Sequence, residues 1–157
     1  MQQLISRAIS TGVYIITVRK DNKINGMTAA WVTQVSFKPQ MITVAIAPQR
    51  YTYGLIEQSG YYCINALPEE AIELAKHFGF KSGRTTDKFK GIMYRNALNG
   101  SPVLEDAYAY LECQLVNTCE AGDHTLFNGI VVDSGELKPD ATPLLFEWGK
   151  FFGKSSE

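Results

Sequence analysis

Along most of this chain the apolar residues either alternate with polar ones or run unbroken for six or seven positions, and helical spacing is confined to brief stretches. Residues 13–18 (VYIITV) are β-branched and aromatic, Asp21-Asn22 offers turn chemistry, and Ile24 opens the next run, which predicts a hairpin. Residues 41–47 (MITVAIA) lie between Pro39 and Pro48, so this strand is bounded by residues that cannot donate to a ladder; its near-continuous apolar character predicts burial on both faces. Residues 55–58 read as a short helical link and 61–67 (YYCINAL) as a strand. Pro68-Glu69-Glu70 then opens a helix through Phe78, with Ala71, Leu74, Ala75 and Phe78 on one face and Ile72 and His77 off it.

Residues 79–100 are rich in Gly, Lys, Arg and Asn and predict a long loop of the kind that is usually functional or mobile. Residues 107–118 (AYAYLECQLVNT) alternate, with Tyr108, Tyr110, Glu112, Gln114 and Val116 opposite Ala109, Leu111, Cys113 and Leu115. This predicts a half-buried strand. A turn at Ala121-Gly122-Asp123 returns the chain into a strand over 124–132 that Gly135 ends, and residues 144–148 are a candidate closing strand. Strands dominate without β-α-β alternation, so the expected architecture is mainly β, a closed antiparallel barrel of Greek-key type with short helices. At 157 residues the expected organisation is a single domain spanning 1–157.

Composition narrows the partners. Fifteen basic against sixteen acidic residues leave a formal charge of -1, which disfavours nucleic acid, although Lys81, Arg84, Lys88 and Lys90 form a local basic cluster. Three cysteines, none in a CxxC pair or beside a histidine array, read as reduced thiols, and no metal site is expected. No secretory pattern opens the chain and no apolar run is long enough to span a bilayer, so the expected location is cytoplasmic and off the membrane.

Four segments carry candidate chemistry. In residues 25–36 (NGMTAAWVTQVS), Ala29 and Ala30 remove bulk while Thr28, Thr33 and Ser36 add hydroxyls. A flat ligand could approach such a backbone, and so could a neighbouring segment of chain. In residues 47–56 (APQRYTYGLI), Arg50 and Thr52 precede a short helix, which fits either an anion site or an ordinary cap. In residues 79–89 (GFKSGRTTDKF), Lys81, Ser82 and Gly83 could wrap a phosphate without forming a Walker sequence, or simply be a solvated basic loop. In residues 121–129 (AGDHTLFNG), His124 opens a strand after a tight turn, where it is either structural or available for proton transfer; His77, within a helix, reads as structural. No Ser/His/Asp set accompanies them.

Taken in order, GVYIITV, GMTAAWVTQVS, PQMITVAIAPQRYT, CINAL, SGRTTDKF, SPVLEDAYAYLEC and AGDHTLFNGIVV resemble the flavin reductase-like family of FMN-binding split β-barrels, over residues 12–145. The resemblance implies a homodimer of split barrels, each holding one FMN near the subunit interface. It implies that Met27, Thr28, Ala29, Ala30 and Trp31 run beside the isoalloxazine, with Thr33 and Ser36 further along that wall and Ala47 at the end of the following strand. Arg50, Tyr51 and Thr52 match a phosphate and ribityl turn, and Phe80, Lys81, Ser82 and Gly83 a second phosphate loop. His124 matches a histidine near the nicotinamide approach and carries a positioning role. The implied activity is an NAD(P)H:FMN oxidoreductase moving electrons through FMN to flavin, oxygen or another carrier. Trp31 departs from many relatives, and the RYTY and SGRTTDKF segments are similar to those of flavoredoxin and of flavin domains linked to rubredoxin. The alternative is therefore an electron-transfer protein with tightly held FMN that docks a rubredoxin- or ferredoxin-type partner. The aromatic pair Phe151-Phe152 is left outside the expected site.

Overall fold

A computed structural model describes residues 1–153. Helix α1 (Gln2–Ala8) precedes a hairpin of β1 (Tyr14–Lys20) and β2 (Lys23–Ala29), and β3 (Val32–Phe37) and β4 (Gln40–Ile46) form a second. Helix α2 (Tyr51–Ser59) leads to β5 (Tyr61–Ala66), and a 3-10 turn at Glu69–Ala71 runs into α3 (Ile72–Gly79). Short strands β6 (Tyr94–Asn96) and β7 (Pro102–Leu104) pair with each other, β8 (Ala109–Ala121) and β9 (His124–Glu136) form a long hairpin, and α4 (Trp148–Phe152) follows. Seven strands make one sheet in the order β2-β1-β5-β8-β9-β4-β3, with every pairing antiparallel.

The unbroken apolar run of β1 follows from its place between two cores. Ile16 and Val18 point into a cluster with Ile42, Val44 and Ile46 of β4, Ile64 of β5 and Phe127 of β9, into which α2 inserts Leu55 and Ile56. Val13 and Ile15 point the other way, to Ala75 and Phe78 of α3 and to Phe89 and Leu104. Because strands from both halves of the sheet share the first core, the sheet curls around it, while its edge strands β2 and β3 are joined only through Ala30-Trp31. The barrel is split at that point.

Several expectations shift in detail. The link expected at 55–58 is the C-terminal part of the longer α2, and the helix expected from Pro68 starts as a 3-10 turn. The loop at 79–100 contains β6, whose ladder with β7 closes a small hairpin beside the sheet. Residues 144–148 form no closing strand; isolated bridges tie Leu145 to Gly12 and Pro143 to Pro68 before α4 begins. Segment 25–36, treated above as one continuous wall, is divided between two strands at opposite edges of the sheet.

Buried polar groups are used as ties. Glu112 is fully buried, and its carboxylate accepts the backbone N–H groups of Asn99 (2.8 Å) and Ser101 (3.2 Å) and the Asn99 side chain (3.2 Å), which fixes the turn between β6 and β7. The cysteines are free, and burial pushes the Cys113 thiol up to about 12. Among the described residues no helix is long and apolar enough to cross a membrane.

Candidate functional site

Strand β2 separates the two helices that frame the site. Its Asn25 faces α2 and donates to the Thr52 hydroxyl (2.8 Å), while Gly26 and Thr28 face α3. A Cβ at Gly26 would approach the Phe78 ring to 3.0 Å, and the Thr28 hydroxyl donates to the Ala75 carbonyl (2.5 Å). Small residues here therefore admit a neighbouring helix, as the plainer sequence reading has it. At the C-terminal end of β2, Met27, Thr28, Ala29 and the following Ala30 line a cavity, although Ala29 is itself buried and Thr28 is bonded to α3.

That space is one cleft in adjoining parts. A cavity of about 500 Å³ lies between β2, the start of α2 and the segment 78–84, and a second of about 360 Å³ continues along Ala29, Ala30 and Trp31 to Ala45 and His124. Met27, Thr28, Ala47 and Arg50 line both. The first part is cationic. Arg50, Lys81, Arg84 and Lys88 line it, and no carboxylate does among the described residues. The second is lined by alanines and aromatic rings.

Each cation is positioned by a specific device. Arg50 is the N-cap of α2, in extended conformation, so its guanidinium and the first amides of the helix occupy the same corner. Arg84 stacks over the Tyr51 ring with its Cζ 5.2 Å from the centroid, and donates to the Gln49 carbonyl (3.0 Å). The loop reaches this position because residue 83 is glycine: a Cβ there would collide with the Asn25 side chain and lie 3.0 Å from the Tyr51 ring.

Lys88 is 5% exposed and donates from Nζ to the carbonyls of Gly26 (2.7 Å) and Phe78 (2.9 Å), tying the edge strand to the end of α3. Burial, and then the charge of Arg50, lower its pKa from 10.5 to about 8. His77 holds Lys81. Its Nε2 lies 2.7 Å from the Lys88 carbonyl, which can only accept, so Nε2 carries the proton and Nδ1 accepts from Lys81 Nζ at 3.1 Å.

At the other end His124 stands against Trp31, ring centroids 4.7 Å apart, and donates from Nδ1 to the Asp123 carboxylate at 2.7 Å. That bond holds the exposed Asp123 carboxyl below its usual range and leaves Nε2 as the ring nitrogen available to another group. The histidine can orient a ligand or exchange a proton with it.

The structure thus brings together Met27 to Trp31, Ala47, Arg50 to Thr52, Phe80 to Gly83 and His124. Thr52 is buried behind the wall, its oxygen taken by Asn25, so it supports the corner. Thr33 and Ser36 are carried off on β3 and line none of these cavities; the Thr33 hydroxyl donates to the adjacent Gln34 carbonyl (3.4 Å). Sequence reasoning missed Asn25, Gln49 and the positioning role of His77. It noted Arg84 and Lys88 only as members of a basic cluster, while His77 and Lys81, four residues apart at helical spacing, were the readable signal for their pairing. It also left the pair Phe151-Phe152 outside the site, although Phe152 lines the second cavity together with Phe146 and Trp148.

Comparison with known proteins identifies the family. The family model described as flavin reductase like domain matches residues 6–155. High molecular weight rubredoxin of Moorella thermoacetica is 40% identical over 82% of this chain and 57% of its own length. The solved structure of the flavin reductase PheA2 superposes with a TM-score of 0.81 at 33% identity, covering 98% of this chain and 92% of that one. The FMN-binding protein from Thermus thermophilus, solved with bound 1-cyclohex-2-enone, superposes with a TM-score of 0.83 at 28% identity over 90% of this chain and 84% of that one. The chain spans from 24% to 57% of the length of the first curated relatives it matches. Matched over nearly its whole length by that family model, the chain belongs to the flavin reductase-like domain family.

Proposed function

We propose that the cleft holds FMN and that the protein is an FMN-dependent oxidoreductase, taking electrons from a reduced nicotinamide or a small redox protein and passing them to flavin, oxygen or another carrier. The observation that carries this reading is the division of the cleft: a cationic end without a carboxylate, continuous through Arg50 with an end built of alanines and aromatic rings. A phosphomonoester suits the first and a planar ring system the second. Arg50, Lys81, Ser82 and Gly83, joined by Arg84 and Lys88, would hold the phosphate; Met27 to Trp31 and Ala47 would flank the ring, and His124 would orient the donor. The bound flavin supplies the redox chemistry, and these side chains supply binding, orientation and charge. In the test, purified protein loaded with FMN is mixed anaerobically with NADH or NADPH. Bleaching of the visible flavin band is expected, and no bleaching with either donor would remove the nicotinamide-dependent reading.

A second reading is an electron carrier with little nicotinamide turnover. It draws on the rings of Trp31, Trp148 and Phe152 around the second cavity and on the high molecular weight rubredoxin among the relatives. Slow NAD(P)H oxidation together with rapid electron exchange with rubredoxin would favour it. The same proposal includes a homodimer, supported by the exposed apolar residues Val35 and Phe37 on β3 and Val116 on β8. Light scattering is expected to return twice the chain mass, and a monomer at all concentrations would exclude it.

A further inference from the structure

The C-terminal helix meets the core through Phe151, which packs against the cluster around Phe78 and Leu104, whereas Trp148 and Phe152 do not belong to that cluster. None of its residues is buried and Phe152 is 55% exposed, yet α4 folds back across the cleft. Trp148 and Phe152, four apart and so on one face of the helix, have ring centroids 4.5 Å apart with planes inclined by 39°. Phe152 also meets Phe80 edge-on at 5.8 Å, which links the helix to the start of the cationic loop, and Phe146 and Phe151 support the turn with centroids at 5.4 Å. Ala29, Ala30, Ala45 and Ala47 line the same cavity as Trp148 and Phe152. Methyl groups and aromatic rings around one cavity, with Trp31 and His124 among them, have the chemistry of a slot for a flat conjugated ring.

We infer that Trp148 and Phe152 form the second wall of the ring-binding slot, so that the flavin ring is clasped between β2 and the C-terminal helix. This rests on the reading of the cleft as a flavin site, and it assigns the ring contacts to a segment outside the four motifs. Aromatic side chains left in water beside an open cavity gain contact area by stacking on a planar ligand.

The experiment measures the affinity of wild type, W148A, F152A and W148F for FMN and for riboflavin by quenching of flavin fluorescence, with K81A as the comparison, because Lys81 lines the cationic part alone. A side chain that touches the ring affects both ligands alike, whereas one that touches the phosphate affects FMN alone. W148A and F152A are expected to weaken FMN and riboflavin by the same factor, about tenfold by analogy with base–aromatic stacking. W148F is expected to recover most of the loss, and K81A to weaken FMN only. Because neither Trp148 nor Phe152 is buried or belongs to a core cluster, both alanine variants should melt as wild type does, so a lost ring contact is separable from a lost fold. Unchanged affinity in both alanine variants would overturn the inference, as would a loss confined to FMN, or a loss of nicotinamide binding with flavin affinity intact. Failure of the wild type to bind FMN would instead strike the functional proposal beneath it.

Discussion

Binding of a dianionic phosphate beside Lys88 should draw a proton from solvent. The Lys88 ammonium is held by two carbonyls in a buried position beside Arg50, with a pKa of about 8, so at pH 8 about half of the apoprotein carries the charge. Phosphate monoesters complete their second ionisation near pH 6, so above pH 7 the ligand's own charge is constant. A nearby opposite charge raises an ammonium's pKa by about 1 unit or more. One unit would take the charged fraction at pH 8 from about 0.5 to about 0.9, an uptake of about 0.4 proton per FMN bound, with almost none at pH 6.5. By linkage the affinity would then fall about fivefold between pH 7 and pH 9.

The assay is isothermal titration calorimetry at pH 6.5 and pH 8 in buffers of different ionisation enthalpy. A buffer-independent enthalpy at pH 8, with affinity flat from pH 7 to pH 9, would refute the placement of Lys88 as the floor of the phosphate site. Stability gives a second check on the same group. Its folded pKa lies below the ordinary 10.5, so the unfolded chain binds more protons between about 8 and 10.5. The strain of the buried charge is therefore fully present below pH 8, and the Lys88 contribution to apoprotein stability should rise with pH through that window.

Three further substitutions test the supports. Gly83→Ala drives a Cβ into Asn25 and should weaken FMN binding by tenfold or more while the melting temperature changes little; equal affinity would mean that the loop does not need its close approach. His77→Phe removes the acceptor that holds Lys81 and should lower FMN affinity several-fold with riboflavin unaffected, as read by fluorescence quenching. Glu112→Gln turns an amide toward backbone N–H groups in a fully buried site and should cost about 2–4 kcal/mol, measured by urea denaturation; an unchanged midpoint would contradict the count of its donors.

The sequence was most legible where one periodicity had one cause. The β1–β2 hairpin and the strand at 61–67 could be read because each lies in the ladder its pattern implies, and the apolar face of α3 because Ala71, Ala75 and Phe78 are all buried. Segment 25–36 was read less well because two requirements overlap within it. Gly26 and Thr28 are small to admit α3, Ala29 and Ala30 are small at the cleft, and nothing in the pattern marks the corner at Ala30-Trp31 where the chain leaves one sheet edge for the other. Thr33 and Ser36 were therefore carried along with a wall they do not belong to. Lys88 was read only as one of a basic cluster for a different reason: its role lies in two carbonyls 62 and 10 residues away in sequence.

The position of the cleft follows from the split in the barrel. An edge strand has backbone groups that no ladder satisfies, and they must be paired or covered. On β2 the Gly26 carbonyl is taken by a lysine rather than by another strand, and that choice places a buried cation where a ligand can approach. The same lysine fixes the end of α3, from which the loop carrying Lys81 to Arg84 departs, and the Gly83 contact with Asn25 returns that loop to β2. Closing the β2 edge and building the cationic pocket are thus one structural act.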